Sequence, residues 1–454
     1  MSATRSRRLW ICMAAVVLAC CQVPATRAAA SPIPAVNPGP EPSAAPAAEL
    51  SAPLTLEAAD RLFLARNREL ISARLQVRNA EAGRVIAGQR PNPVLSVNSA
   101  YFSPADPSQT NGLGNRLDAS LDTTFRIDQL IERGNKRGLR LAVAEKGLQA
   151  ARHDLDNTLR SLRLQLAQAY YDLALAEERE HITSTNAALY RKSVEAMRLR
   201  LRAGDIAPTE LARMQVEAEK AALEARQAAA ERRHAQLGLG LFLGLEDQAE
   251  QLRTAAPDLP LQPGQPGSQP NLAELLERRP DVRAARVRLT QAEDAQQLAA
   301  SLRKTDVVVG VQYERQPPGN AVSRNSIGLG VSFPWQLRYR YQGEIAQAEV
   351  ARQQAATELA RTRADALAEL QGAWTDLRTA TERMQRYQGD LIPRARQAAQ
   401  AAEFAYQHGA SGLLDLLDAR RTLHGLLLDA AATRADYAKA QAAWQAATTQ
   451  DATP

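Results

Sequence analysis

The feature that most constrains this chain is the run from Leu148 to Ala203, which holds no Gly and no Pro. Along it Leu155, Leu159, Leu162, Leu166, Ala169, Leu173 and Ala176 recur at alternating steps of four and three residues. Glu180, Thr183, Ala187, Tyr190, Val194, Met197 and Leu201 continue the register. An apolar repeat averaging about 3.5 residues marks a coiled-coil seam rather than the broader stripe of a surface helix. At about 1.5 Å per residue the run makes a rod of roughly 84 Å, longer than a compact domain is wide.

A second seam follows in Ala366, Leu370, Ala373, Leu377, Ala380, Met384, Tyr387, Leu391, Arg394, Ala398, Ala401 and Ala405, with Arg394 its only charged member. Each rod stops at a glycine, Gly204 or Gly409, followed six residues later by an acid, Glu210 or Asp415. Glycine suits a helix C-cap at positive φ, and an acid is favoured in the first turns of a returning helix. Each rod therefore reads as one arm of a helical hairpin, with tips at Gly204, Asp205 and Glu210 and at Gly409 and Gly412.

Glu69-Leu70 followed by Ala80-Glu81 has a counterpart in Asp281-Val282 followed by Ala292-Glu293. Two structural repeats are expected, 54–245 and 271–448, because the order of elements is shared and not only the alanine-rich composition. Residues 246–270, with Pro257, Pro260, Pro263, Pro266 and Pro270, read as a linker between them. In each repeat two shorter helices match one rod in length: 57–90 and 208–245 against 134–203, then 272–303 and 413–448 against 341–408.

Residues 1–30 carry Arg5, Arg7 and Arg8, an apolar run from Leu9 to Ala19, and the small residues Ala28-Ala29-Ala30, the pattern of a secretory signal. Val17-Leu18-Ala19-Cys20 is also an imperfect lipoprotein box, which would leave a lipidated Cys20; both readings stand at this point. Cys12, Cys20 and Cys21 all lie here, so no disulfide or thiolate metal site is expected downstream. Loss of Arg5, Arg7, Arg8 and Arg27 takes the formal charge from +6 to +2, and nucleic acid is not an expected partner. Residues 31–53 form a Pro/Ala-rich leader and 449–454 a short tail.

After Pro91-Asn92-Pro93 the period changes to two. Leu95, Val97 and Tyr101 alternate with polar or small residues, as do Leu117, Ala119, Leu121, Thr123, Phe125 and Ile127. In the second repeat Val307, Val309, Val311 and Tyr313 are followed by Ile327, Leu329, Val331 and Phe333, with Gly310, Gly328 and Gly330 on the other face. Two hairpins of half-apolar strands match transmembrane β-barrel segments. Phe125, Phe333, Trp335, Tyr339 and Tyr341 near their ends suit an interfacial girdle in a chain with only 4% aromatics. On this reading Leu121, Phe125, Val309, Val311, Leu329 and Val331 face lipid; a soluble β-subdomain is the competing reading. Four strands cannot close in lipid, whereas a homotrimer would supply twelve.

The order of elements from about 54 to 448 resembles the TolC-like outer-membrane efflux proteins. Tyr406-Gln-His-Gly-Ala-Ser-Gly-Leu-Leu-Asp415-Leu-Leu-Asp418-Ala419 is similar to that family's second periplasmic tip. Leu130-Ile-Glu-Arg-Gly134-Asn-Lys136-Arg137 resembles a Leu-Glu-Leu-Gly-Gly-Lys-Arg segment of the branch serving heavy-metal pumps, and departs from it at Arg133 and Asn135. The fold implied is mainly α with a small β part: a coiled-coil α-barrel on a transmembrane β-barrel, completed by trimerisation. The function implied is an outer-membrane exit duct, spanning into the periplasm, for metal cations or toxic organics. Its implied partners are a periplasmic adaptor (membrane fusion protein), an inner-membrane RND-type pump and outer-membrane lipids, with Asp415 and Asp418 lining a pore or gate. The alternative is a periplasmic coiled-coil adaptor or structural protein with a soluble β-domain.

His153, His181, His234, His408 and His424 do not pair with one another or with cysteine at helical spacing, and a transition-metal site needs convergent donors. There is no phosphate loop, dinucleotide fingerprint or Gly-x-Ser-x-Gly. No cofactor, resident metal or enzymatic activity is expected.

Overall fold

Thr55, in extended backbone, accepts the Ala58 N–H on its hydroxyl (3.2 Å) and so begins helix α1, Leu56–Arg66. This opens a computed structural model of the protein that describes residues 53–100, 122–255, 271–316 and 325–448. All of these fall in one unit, Leu50–Pro454. The signal and leader up to residue 52, Cys20 and Leu121 lie outside the described residues.

A single helix over 57–90 is expected from sequence, but the chain breaks at Asn67. The Asn67 side-chain oxygen accepts the Leu70 N–H (3.0 Å) and caps α2, Arg68–Ala87. Its amide donates to the Phe242 carbonyl (3.1 Å), where the Phe63 and Phe242 rings stack 6.0 Å apart. A residue with strong capping preference is thus fixed by a contact far along the chain, which local periodicity does not report.

Strands β1 (Val94–Ala100) and β2 (Asp122–Ile131) precede α3 (Lys136–Ala203), which returns through α4 (Pro208–Leu243). A 3₁₀ turn, Glu246–Gln251, then packs Ala249 and Leu252 into the core, so the first part of the segment read as a linker is folded. The second repeat starts with α5 (Leu272–Arg278) and α6 (Pro280–Ser301). The single helix expected over 272–303 is divided at Arg279, because Pro280 disfavours a helical residue before it and itself suits the first helical position. Strands β3 (Val307–Arg315) and β4 (Asn325–Ser332) lead to α7 (Gln342–Arg386), a π-helical turn Tyr387–Leu391, α8 (Ile392–Gln407) and α9 (Leu413–Thr448).

Helices α2 and α4 both lie against α3, and α6 and α9 both lie against α7. Two shorter helices therefore accompany one rod in each repeat, and α3 joins the repeats by also contacting α6 and α9. The principal core gathers Leu54, Phe63, Leu70, Leu159, Leu166 and Leu239 around Tyr170, whose hydroxyl donates to the Leu54 carbonyl (2.8 Å).

The α3 seam is buried or half-buried throughout. The second seam holds only as far as Tyr387. Beyond the π turn Arg394, Ala398 and Ala401 are exposed, and the buried positions become Ala395 and Ala399. A π turn absorbs one extra residue, which moves the buried face by one position. Pro393, having no N–H for the carbonyl one turn back, explains why the ladder widens there. Arg394 points instead to Asp390 (2.6 Å).

The strands form one antiparallel sheet in the order β1-β2-β3-β4, so the two hairpins are merged by β2–β3 pairing. The strand read to Ile127 continues to Ile131. Register aligns Leu95, Ile127, Val311 and Leu329 across all four strands, and Val97, Phe125, Tyr313 and Ile327 in the next row on the same face.

Candidate functional site

The residues singled out from sequence lie toward the two ends of α3, whose 68 residues separate those ends by about 100 Å. At the sheet end, Gly134 (φ +75°) and Asn135 (φ +59°) turn the chain from β2 into α3. The Asp306 carboxylate accepts both the Arg133 N–H and the buried Lys136 ammonium, each at 2.8 Å. Arg140 pairs with Glu132, and Arg137 Nε donates to the Gly88 carbonyl (2.6 Å). Burial, the largest influence on Asp306, pushes its carboxyl up, but the Lys136 and Arg133 bonds outweigh it and the net position is below the usual range. For Glu132 the bond from Arg140 dominates and also holds it low. The Leu130–Arg137 stretch is therefore a corner lock. Tyr341 (φ +60°) makes the equivalent turn before α7.

On the sheet above this corner the apolar row is bare in the single chain. Leu329 is 83% exposed and Val331 65%; Phe125, Val309 and Val311 share the face at lower exposure. Leu95, Val97, Ile127 and Ile327 belong to the same exposed surface, and their place in the period-two pattern was the signal for it. No described helix is long and apolar enough to cross a membrane, which says nothing about strands.

At the other end the two hairpin tips close alike. Gly204 (φ +81°) donates to the Leu201 carbonyl and Asp205 to that of Arg200 (3.0 and 2.9 Å). Gly409 (φ +73°) donates to Tyr406 and Ala410 to Ala405 (3.1 and 2.8 Å). These are Schellman-type caps, which need the left-handed glycine. Gly412 does not take that conformation; its N–H is accepted by Asp415 (3.3 Å), an acid reaching back over the start of α9. Asp415 and Asp418 are both exposed, Glu210 is half-buried, and Gly204, Asp205, Gly409 and Gly412 are exposed.

The tips meet. Tyr406, Leu413 and Leu417 pack with Tyr190, Val194, Met197 and Met214, and the Arg200 guanidinium lies 5.5 Å from the Tyr406 ring centre. Immediately after Asp418, a row of residues that sequence reasoning passed over ties α9 to the first hairpin. Arg420, 9% exposed, donates to Ser193 Oγ (3.0 Å) and pairs with Glu403 (3.1 Å). Arg421 pairs with Glu217 (2.6 Å) and His424 with Glu224 (3.1 Å). The Arg421 bond holds Glu217 below the usual range, so this tie is ionic at neutral pH. Their signal was the run Arg420-Arg421 at the end of the tip motif. Among the described residues no group of three or more His, Cys, Asp or Glu is placed to hold a metal ion.

The model of the family described as outer membrane efflux protein matches residues 61–245 and 271–450, one match on each repeat. The chain belongs to that family. The cobalt-zinc-cadmium resistance protein CzcC of Cupriavidus metallidurans is 27% identical, covering 83% of this chain and 85% of its own. The pyoverdine export outer membrane protein OpmQ of Pseudomonas putida is also 27% identical, over 80% of this chain and 79% of its own. Among solved structures, CusC superposes with a TM-score of 0.74 at 17% identity, covering 87% of this chain and 91% of that one, a likeness of fold. Membership in the outer membrane efflux proteins makes the protein an outer-membrane efflux channel rather than a periplasmic adaptor.

Proposed function

We propose that three copies of this chain close a twelve-stranded barrel and continue it into a helical tunnel, forming the passive exit duct of a tripartite efflux system. The observation that carries this is the four-stranded sheet: one face is apolar and exposed, and its edge strands β1 and β4 have no further partner among the described residues. An open sheet edge is not tolerated in lipid. The paired tips present Gly204, Asp205, Glu210, Gly409 and Gly412 to a periplasmic adaptor, which couples the duct to an RND-type pump that supplies the energy. Asp415 and Asp418, on one exposed face at the start of α9, line the entrance. The similarity to CzcC supports divalent metal cations as substrate, and the similarity to OpmQ keeps small organic molecules as the second class. Mass measurement and crosslinking in detergent test the assembly: a trimer is expected, and a stable monomer overturns the proposal.

A further inference from the structure

The polar face of the sheet is as closely organised as the apolar one. Arg126 Nε donates to both Asp128 carboxylate oxygens (2.9 and 2.8 Å), and its Nη1 reaches Gln312 Oε1 at 3.4 Å. The long side chain therefore runs across the sheet toward β3 and β4 instead of standing away from it.

Three glycines supply the room. Asp128 lies opposite Gly310, Gly310 opposite Gly330, and Gln312 opposite Gly328. A Cβ on Gly310 would fall on the Asp128 carboxylate and 3.0 Å from Arg126 Nη2. One on Gly330 would meet the two Arg126 terminal nitrogens at 3.3 and 3.5 Å, and one on Gly328 would sit 2.9 Å from Gln312 Cγ. Glycine is a poor strand former, and in a strand interior it often marks a close approach by another group. Here the approaching groups are the large polar side chains of the same face.

We infer that Arg126 and Asp128, bedded on Gly310 and Gly330, are a selectivity-setting pair of the β-barrel lumen: lying flat and mutually neutralised, they keep the bore wide and withhold a ring of arginines from anionic solutes. This rests on the trimeric barrel, in which the face opposite lipid lines the lumen. Rings of arginine in a pore select anions, so an upright, unpaired Arg126 in three copies would capture them. The duct at this level thus passes cations without an electrostatic barrier and does not retain organic anions.

The test is block of single-channel current in planar bilayers by a sulfated cyclodextrin added from the barrel side, a probe whose binding reports the lumen even when the tip limits conductance. Gly330→Val should lift Arg126 off the wall, and Asp128→Asn should unpair it without adding bulk. Each is expected to lower the blocking concentration by about tenfold or more, with Arg126→Gln in either background restoring the wild-type value. Conducting trimers of Asp128→Asn and Gly330→Val that are blocked only at the wild-type concentration overturn the inference. If only Asp128→Asn assembles, its result alone decides. Conducting wild-type trimers leave the barrel reading standing whatever the variants do, whereas a wild type that forms no trimeric channel removes that reading itself.

Discussion

The Arg279 guanidinium lies 2.6 Å from the Glu369 carboxylate, although the two residues belong to different parts of the second repeat and the arginine is 2% exposed. Arg279 also holds Asp281 at 2.6 Å, and Arg160 on α3 reaches Glu369 at 2.8 Å. Two cations and two anions thus pin the α5–α6 break to both rods. Burial pushes the Glu369 carboxyl up most strongly, yet the bonds from Arg279 and Arg160 outweigh it and leave it below the usual range. Glu369→Ala leaves Arg279 buried with Asp281 alone. Because Glu369 is partly exposed, the expected loss is about 3 kcal/mol, the lower end for breaking a buried pair. Urea unfolding of the purified protein measures it, and a loss below about 0.5 kcal/mol would place the cluster among ordinary surface pairs.

Acid should loosen the molecule at particular places. Glu132, Asp306, Asp281 and Glu369 all have lowered folded-state pKa values. Their contributions are present above the unfolded carboxylate values of about 4 and vanish as pH falls through the lowered folded ones. The stability these four groups contribute should therefore hold from neutrality to about pH 5 and decline below about 4. Glu177 behaves oppositely. Burial above all raises it, against the bonds from Thr254, so its ionisation costs stability as pH rises through the unfolded and then the folded value. Glu177→Gln should stabilise more at pH 7 than at pH 4, and thermal melts at the two values compare them.

The corner before α3 offers a double-mutant cycle. A Cβ on Gly138 would collide with the Asn135 side chain. Gly138→Ala alone should destabilise, Asn135→Gly should gain about 0.5–1 kcal/mol by relieving a left-handed non-glycine residue, and the two together should be better than additive by about 1 kcal/mol or more. Additive behaviour would mean that Asn135 is free to move aside.

Leu329, on edge strand β4, ends the exposed apolar row and stands between the exposed Ile327 and Val331 of its own strand. Leu329→Arg should cost about 2–4 kcal/mol if it sits near the bilayer midplane, and heat-modifiability of the extracted trimer reads this out. Full assembly would place that face away from lipid.

At the tip the two acids should separate. Asp415 accepts the Gly412 N–H, so Asp415→Ala should weaken the turn by about 0.5–1 kcal/mol as well as remove charge. Asp418→Ala should reduce cation selectivity and block by multivalent cations while leaving the tip intact. Unchanged selectivity and block in an assembled Asp415→Ala/Asp418→Ala protein would take both residues out of the conduction path.

The rods, the glycine-capped tips and the half-apolar strands were legible because each rests on a short-range period or on a residue type with few alternatives. Gly204 and Gly409 could hardly be anything but caps. What escaped depended on contacts far along the chain. Asn67 caps a helix only because Phe242 receives its amide, and Arg420 becomes a tie only where Ser193 and Glu403 meet it. Arg394 was a local warning of another kind: a charged residue in an apolar seam marked the place where the seam had changed face.

That change of face at Tyr387–Leu391 makes the two long arms mechanically unlike. The first, α3, is a single strut from corner to tip, so an axial push or twist at one end arrives at the other with its phase preserved. The second is two shafts meeting at a joint, each meshed with its neighbours on a different set of teeth. Of the two hairpins, the one carrying Asp415 and Asp418 is therefore the one whose long arm changes its packing face on the way to the tip.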